Sequence, residues 1–182
     1  MFKSLSLKVI IFGFIFTFFS SFGQSFFIGL FNPSVRDALN ISHGQFGSIY
    51  ATATLISSFL FIWVGKKIDD INVLRFALYV TVLLSFSCFF FSKISSIVFL
   101  FIAIFLMRFS GQGMMSHTAS TTISRYFTKS RGKALSIGWF GLSVAEFILP
   151  VTIIYFLTIY NWQNIWIFIS LLVLVFLPIA SY

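Results

Sequence analysis

Charge and cysteine are both scarce in this sequence. Charged residues make up 9% of the 182 positions, whereas about a quarter is usual in soluble domains. The one cysteine, Cys88, cannot form an internal disulfide, and the two histidines are not at metal-ligand spacing. These scarcities exclude a soluble enzyme and a secreted disulfide scaffold, and they give no reason to expect a metal or any other cofactor.

Apolar residues are abundant instead. Hydrophobic residues account for 59% of the chain, phenylalanine alone occurs 28 times, and the mean hydropathy is +1.02. A core of this length cannot hide so much apolar surface from water, so lipid has to cover the rest. The net charge of +8 does not indicate a nucleic-acid partner, because the basic residues lie in loops between apolar runs. The composition therefore predicts a membrane protein.

Six apolar runs are long enough to cross a bilayer as helices, which takes roughly 20 residues each. The breaks between them carry turn-forming or charged residues, and none of the runs alternates like a barrel strand. We therefore predict an all-α membrane protein in which residues 1–182 form a single bundle of six transmembrane helices. The expected spans are 7–32, 44–64, 73–91, 96–123, 134–159 and 164–181.

Basic residues are distributed unevenly between the two sides of this topology. Nine of the 12 lysines and arginines lie near span ends on one side, two lie on the other side, and Arg108 lies within a span. Basic residues that flank membrane helices are retained in the cytoplasm. Both termini are therefore expected on the cytoplasmic face of a plasma or inner membrane.

The loop before the second span contains two overlapping patterns. Residues 40–42 read Asn-Ile-Ser, a glycosylation sequon, and Ser42 with Gln45 has the form of a helix capping box. Because the asparagine would lie very close to the membrane, the capping function is favoured.

Three segments of the chain resemble a known family. The loop after the second span reads GKKIDDINVLR, in which Gly65 is followed four residues later by Asp69 and then by Arg75. The fourth span contains the arginine-then-glycine sequence RFSGQGMM, and the loop after it reads RYFTKSRGKALSIG. These segments, in this order and on the predicted sides, resemble the major facilitator superfamily.

The resemblance implies a fold and a mechanism. The superfamily fold has two six-helix halves, each made of two inverted three-helix repeats, and this chain corresponds to the N-terminal half. The implied function is secondary active transport by alternating access with a second six-helix half that is not present in this chain. The resemblance also implies gating functions for Gly65, Asp69 and Arg131. Asp70 departs from the family pattern, which usually has a basic residue there.

The first and fourth spans share a short sequence match, as two inverted repeats would predict. The dipeptide Gly-Gln occurs at residues 23–24 in the first span and at residues 111–112 in the fourth, which are corresponding places in the two repeats. A match of two residues arises easily by chance, so it is weak evidence of a repeat.

Two charged residues, Arg108 and Glu146, lie near the membrane midplane, where a charge costs about 2.5–3.5 kcal/mol on insertion scales. Three interpretations of Arg108 remain open: an anion-binding group, half of an internal ion pair with Glu146, or a structural arginine bonded to backbone carbonyls. Gln112, one turn from Arg108, and Gln24 on the first span are further candidates for solute binding. Glu146 is the candidate coupling residue.

Other polar and small residues have structural interpretations. His117 lies away from Arg108 on the fourth span and is interpreted as a packed histidine that is bonded to a neighbour. Gly138, Gly141 and Ala145 give the fifth span a small face, which is expected to pack against another helix.

The predicted function is therefore transport of a small solute, with an organic anion favoured by the resemblance to organic-anion and monocarboxylate branches. The alternatives are a truncated membrane fragment that does not transport and a half-transporter that forms homodimers. An intramembrane enzyme is disfavoured, because the sequence lacks a Gly-x-Ser-x-Gly setting for a nucleophile. The expected partners are an anionic solute, membrane lipid, and a second six-helix half or another copy of the chain.

Overall fold

The computed structural model describes the backbone of residues 2–180 and the side chains of residues 6–179. Every regular element in this part of the chain is helical. The α-helices are Phe2–Ser20, Ser25–Leu30, Asn32–Leu39, His43–Val64, Val73–Phe91, Ile97–Met107, Ser116–Tyr126, Arg131–Leu157 and Trp162–Ala180. Two 3₁₀ turns, Ser21–Gly23 and Gly65–Asp69, and one π-helix, Arg108–Met115, continue or join them.

Six stretches of helix are long and apolar enough to cross a membrane, which confirms the predicted all-α fold with six membrane helices. We number them as spans 1 to 6: Ser6–Gly23, His43–Asp69, Val73–Phe91, Ile97–Tyr126, Arg131–Leu157 and Trp162–Ile179.

The first apolar run is not one continuous helix, contrary to the expected span 7–32. Gln24 has an extended backbone, with ψ of 156°, and separates span 1 from the short helix Ser25–Leu30. Pro33, expected to end the run, instead lies in the first turn of Asn32–Leu39. Proline is tolerated there because the first helical amides have no intrahelical acceptor. The run therefore supplies one span and two short helices.

Span 2 begins as the capping pattern predicts. The Ser42 hydroxyl accepts a hydrogen bond from the Gln45 amide at 3.2 Å, and the Gln45 side chain accepts one from the Ser42 amide at 2.8 Å. Two amides that would otherwise have no partner at the start of the helix are thereby satisfied. Asn40 ends the preceding helix in the left-handed conformation, with φ of 51°.

The spans pack unequally. Span 1 packs against spans 5 and 4, span 3 against span 6, and span 4 lies among spans 1, 2 and 3. Half of span 4 is buried within the bundle, compared with 11% of span 2 and 17% of span 5. Spans 2 and 5 therefore present most of their surface outward.

The contact between spans 1 and 5 depends on small residues. Gly138, Gly141 and Ala145 are buried, and a Cβ atom on Gly141 would lie 2.5 Å from the Thr17 hydroxyl of span 1. That hydroxyl donates a hydrogen bond to the Gly138 carbonyl at 2.6 Å. The prediction that this face of span 5 packs against a helix is confirmed.

Spans 3 and 6 are joined by two buried serines. The Ser85 hydroxyl donates to the Ser170 carbonyl at 2.9 Å, and the Ser170 hydroxyl donates to the Ser85 carbonyl at 2.8 Å. The two bonds to the backbone are reciprocal, and the two hydroxyl oxygens also lie 3.1 Å apart.

Candidate functional site

The middle of span 4 is a π-helix, Arg108–Met115, flanked by ordinary α-helix. Helical segments of this kind are rare and occur frequently at functional sites. The π-helix lies against span 1 at two glycines: a Cβ atom built on Gly111 would lie 2.7 Å from the Cα atom of Gly23. Only residues without side chains allow this approach, which brings the Gly-Gln dipeptides of spans 1 and 4 into direct contact.

Arg108, the first residue of the π-helix, is buried, with 7% of its surface exposed. Its Nη1 atom donates to the Gly23 carbonyl at 3.0 Å and to the Ser25 hydroxyl at 3.4 Å. Its guanidinium lies 5.4 Å from the centre of the Tyr50 ring on span 2, within range of a cation–π contact. The break in span 1 at Gln24 therefore occurs beside the carbonyl that Arg108 binds.

Arg108 forms part of a cleft of 370 Å³ among spans 2, 4 and 5. Five hydroxyl side chains line it together with Arg108, a glutamine, a histidine, a glycine and two aromatic rings. The lining residues are Thr54, Ser57, Ser58, Phe61, Arg108, Gln112, Gly113, Ser116, His117, Ser120 and Trp139.

Several polar atoms at this cleft have unmet hydrogen-bonding capacity. Within the part of the chain that the structure describes, six buried side-chain nitrogen or oxygen atoms have no hydrogen-bond partner. Three of them belong to residues of the cleft lining: Thr54, Arg108 and Ser116. Buried polar groups are nearly always bonded, and exceptions call for an explanation. All three side chains adjoin the cleft.

The cleft lining contains a basic side chain and no acidic one. Arg108 is its one arginine or lysine, and among the described lining residues there is no aspartate or glutamate. The same part of the chain contains no cluster of histidine, cysteine and acidic residues that could hold a metal ion. The geometry therefore suits an anion or a strongly polarised neutral group.

The structure brings two of the three predicted solute-binding residues together. Arg108 and Gln112 both line the cleft, whereas Gln24 does not. Gln24 is half-buried and has an extended backbone. It therefore lies just beyond the end of span 1, and not within the helix as predicted from the sequence.

Glu146 does not pair with Arg108. Its neighbour Ala145 is fully buried, and a helix turns by about 100° per residue, so Glu146 lies exposed on the outer surface of span 5. The ion pairs among the described residues do not include either side chain. The internal pair considered for these two residues is therefore not formed, and Arg108 is instead bonded to a backbone carbonyl.

His117 connects the cleft to the 3₁₀ turn Gly65–Asp69 at the end of span 2. Its Nε2 atom lies 3.0 Å from the Gly65 carbonyl oxygen, and its ring meets Phe61 edge to face, with centroids 5.3 Å apart. The interpretation of His117 as a packed histidine is confirmed. Gly65, which the family resemblance assigns to gating, is thereby held against span 4.

Asp69 makes its ion pair with Arg125, at the end of span 4, whereas Arg131 makes no ion pair among the described residues. Arg125 also donates to the Ile68 carbonyl, with both Nη atoms at 3.3 Å. The helix of span 4 continues to Tyr126, and this extra length carries Arg125 to the turn. Asp70 pairs with Lys67, with nitrogen and oxygen 3.6 Å apart, a contact within one exposed turn.

Sequence reasoning missed the contribution of span 2 to the cleft. Thr54, Ser57, Ser58 and Phe61 line it, and their spacing of three, four and seven residues defines one face of a helix. This stripe of hydroxyl residues in an apolar helix could have predicted that span 2 contributes to a polar site. Tyr50, one turn earlier, gave no comparable signal, because an isolated tyrosine is common in membrane helices.

Comparison with known proteins agrees with this architecture. The family model described as Major Facilitator Superfamily matches residues 13–182, and members of this family are transporters of small-molecule solutes rather than enzymes. No curated protein and no solved structure gives a significant match. The matched region covers nearly the whole chain: it includes spans 2 to 6 in full and span 1 from residue 13 onward. The chain belongs to the Major Facilitator Superfamily and is an integral, multi-pass membrane protein of a transporter family.

Proposed function

We propose that the protein binds a small organic anion in the cleft among spans 2, 4 and 5 and contributes one half of a secondary active transporter. The observation that supports this is the setting of Arg108: a buried cation without a carboxylate partner, beside a polar cleft. A carboxylate group on the solute would supply the missing negative charge. Arg108 and Gln112 are the proposed ligands.

The buried charge of Arg108 lacks a partner of opposite sign. A cation at membrane depth costs about 2.5–3.5 kcal/mol on insertion scales, and the contacts of Arg108 with a carbonyl, a hydroxyl and an aromatic ring are all with neutral groups. The planar guanidinium offers a fork of donors that matches a carboxylate. The volume of 370 Å³ lies at the low end for small-ligand pockets, which favours a compact solute.

Transport in this proposal requires a second bundle. Alternating access moves two bundles against each other around a central site, and the outward surfaces of spans 2 and 5 flank the cleft on the side where a second bundle would close it. Glu146 lies on this surface, so we propose it as a coupling group that acts at the contact with the second bundle. The second bundle is a separate six-helix half or, as the second candidate, another copy of this chain.

The candidate gating residues Gly65 and Asp69 lie in the 3₁₀ turn that ends span 2. Gly65 and Asp69 are held to span 4 by His117 and Arg125. We propose that this turn and span 4 move together during gating, and that Arg131 contacts the turn only in another conformational state.

The experiment measures binding separately from transport. The purified chain in detergent is titrated with radiolabelled monocarboxylates, dicarboxylates and neutral analogues of the same size. Monocarboxylates should bind, and Arg108→Gln should weaken that binding by about tenfold or more, the expected loss for a charge-assisted contact of about 1.5–3 kcal/mol. Arg75→Gln, which removes an exposed arginine outside the cleft, is the matched control and should bind normally.

Transport is then tested by counterflow in liposomes. Exchange of a bound monocarboxylate by the chain with a second half, or by a dimer of the chain, supports the proposed function. Binding without counterflow in either arrangement identifies a fragment that does not transport. Equal binding of neutral and anionic analogues, or binding that survives Arg108→Gln, contradicts the assignment of an anionic solute.

A further inference from the structure

A second polar pocket lies where span 4 ends and span 5 begins. Its volume is 330 Å³, and two arginines and four hydroxyl side chains surround it. The lining residues are Ser120, Thr121, Ser124, Arg125, Thr128 and Arg131. It shares Ser120 with the cleft that holds Arg108, but its remaining lining is separate. We call it the basic pocket.

The hydroxyl side chains near the end of span 4 differ in their hydrogen bonds. Thr118 and Thr122 donate to carbonyls of their own helix, each at 2.7 Å, as such residues commonly do in helices. Neither of these two threonines lines the basic pocket. Thr121, Ser124 and Thr128 do line it, and none of their hydroxyls makes a hydrogen bond within the described part of the chain. Three donors are therefore available at one pocket.

The two arginines of the pocket also differ. Arg125 is held by Asp69 and the Ile68 carbonyl. Arg131 has no ion pair among the residues that the structure describes. Its guanidinium is therefore the uncommitted cation of the basic pocket.

The backbone adds further positive potential at this position. Arg131 begins the 27-residue helix of span 5, whose first turn contains no acidic residue and whose start has no side-chain cap. The free amides at the start of a helix carry a partial positive charge and bind anions. Lys129 and Lys133 lie on either side of Arg131 in the sequence. Three exposed basic residues and a helix start without a side-chain cap therefore give this end of the pocket a positive potential.

From these observations we infer that the basic pocket binds a phosphoryl group, either of an anionic phospholipid headgroup or of free phosphate. The Arg131 fork matches two phosphate oxygens. The hydroxyls of Thr121, Ser124 and Thr128 and the first amides of span 5 can donate to the others. A tetrahedral anion with several acceptor oxygens uses this dispersed set of donors better than a planar carboxylate does. The inference is independent of the solute bound at Arg108.

The test is the thermal stability of the purified chain in a neutral detergent, at constant ionic strength and pH. One arm adds inorganic phosphate, with chloride as the matched salt. The other adds phosphatidylglycerol, with phosphatidylcholine as the matched lipid. A ligand that binds only the folded protein raises Tm, and we expect a rise of about 3 °C in at least one arm.

Variants identify the site. Arg131→Gln and the double variant Thr121→Ala with Ser124→Ala should each abolish most of the rise, whereas Arg75→Gln, an exposed arginine on the same end of the bundle, should retain it. A rise with phosphate indicates that free phosphate suffices, and a rise only with phosphatidylglycerol indicates a lipid headgroup. The inference is overturned if neither ligand raises Tm, if Arg131→Gln retains the full rise, or if Arg75→Gln loses as much as Arg131→Gln.

Discussion

At the scale of single residues, the contact between Arg108 and Tyr50 separates the contribution of an aromatic ring from that of a hydroxyl. The guanidinium lies over the ring at 5.4 Å from its centre, and such contacts contribute about 0.5–2 kcal/mol. Tyr50→Phe keeps the ring and should retain most of the thermal stability in detergent. Tyr50→Ala removes it and should lower the free energy of unfolding by at least that amount. Equal losses in both variants would show that the hydroxyl, and not the ring, stabilises Arg108.

The glycine contact between spans 1 and 4 gives a second prediction at this scale. A Cβ atom on Gly111 would lie 2.7 Å from both the Cα and the amide nitrogen of Gly23, and backbone atoms cannot move aside cheaply. Gly111→Ala should therefore destabilise the protein by about 1–3 kcal/mol, the usual cost of overpacking.

Gly47 provides the matched control, because a Cβ atom there meets nothing within 4 Å on the exposed face of span 2. Gly47→Ala should be neutral or stabilising by roughly 0.5–1 kcal/mol, since glycine lowers helix stability relative to alanine. Thermal melts of both variants in one detergent make the comparison. A Gly111→Ala variant as stable as Gly47→Ala would mean that the two helices do not approach this closely.

At the scale of helices, the reciprocal serine bonds predict additivity. Each hydroxyl of Ser85 and Ser170 donates to a backbone carbonyl of the other helix. That carbonyl remains when the other hydroxyl is removed, although the 3.1 Å contact between the two hydroxyls is lost. Ser85→Ala and Ser170→Ala should each cost about 0.6 kcal/mol, the average for hydrogen bonds between membrane helices. The double variant should cost close to the sum.

A double-mutant cycle checks this prediction, with Ser48→Ala as the control, because that exposed hydroxyl donates only within its own helix. A coupling energy above about 1 kcal/mol would show that the two hydroxyls bond each other instead.

The helices themselves were largely predictable, because their signals are local. Runs of apolar residues, the Ser42 capping box and the small face of span 5 depend only on nearby sequence or on one helix face. The break at Gln24 could not be predicted in this way. It occurs where the Gly23 carbonyl bonds a side chain 85 residues away in the sequence, a contact that no local pattern contains.

The candidate site was predictable only in part for a similar reason. The position of Arg108 at membrane depth was sufficient to identify it, but its partners depend on how neighbouring helices are rotated. The burial of Ala145 turns Glu146 outward. The helical extension to Tyr126 brings Arg125 to Asp69. Helix rotation and the last turn of a helix are set by packing, which a sequence pattern specifies poorly.

At the scale of the whole molecule, the distribution of basic residues predicts that both termini face the cytoplasm. In a Cys88→Ala background, single cysteines at Ser95 and Lys129, which are exposed at opposite ends of the bundle, should react with an impermeant maleimide from opposite sides. In right-side-out vesicles only the cysteine at position 95 should label, and lysis should expose the cysteine at position 129. Labelling of both from the same side would contradict the six-span topology, and the reverse pattern would contradict the orientation.

The partners of Arg108 also have a consequence for the order in which the protein is made. The carbonyl and hydroxyl that bind Arg108 belong to Gly23 and Ser25, and the ring that covers it belongs to Tyr50. All three precede Arg108 in the chain, and synthesis proceeds from the N-terminus. When span 4 leaves the ribosome, the groups that offset the cost of its arginine have therefore already been synthesised. Insertion of span 4 into the bilayer should then depend on span 1 having been inserted first, whatever is translated afterwards.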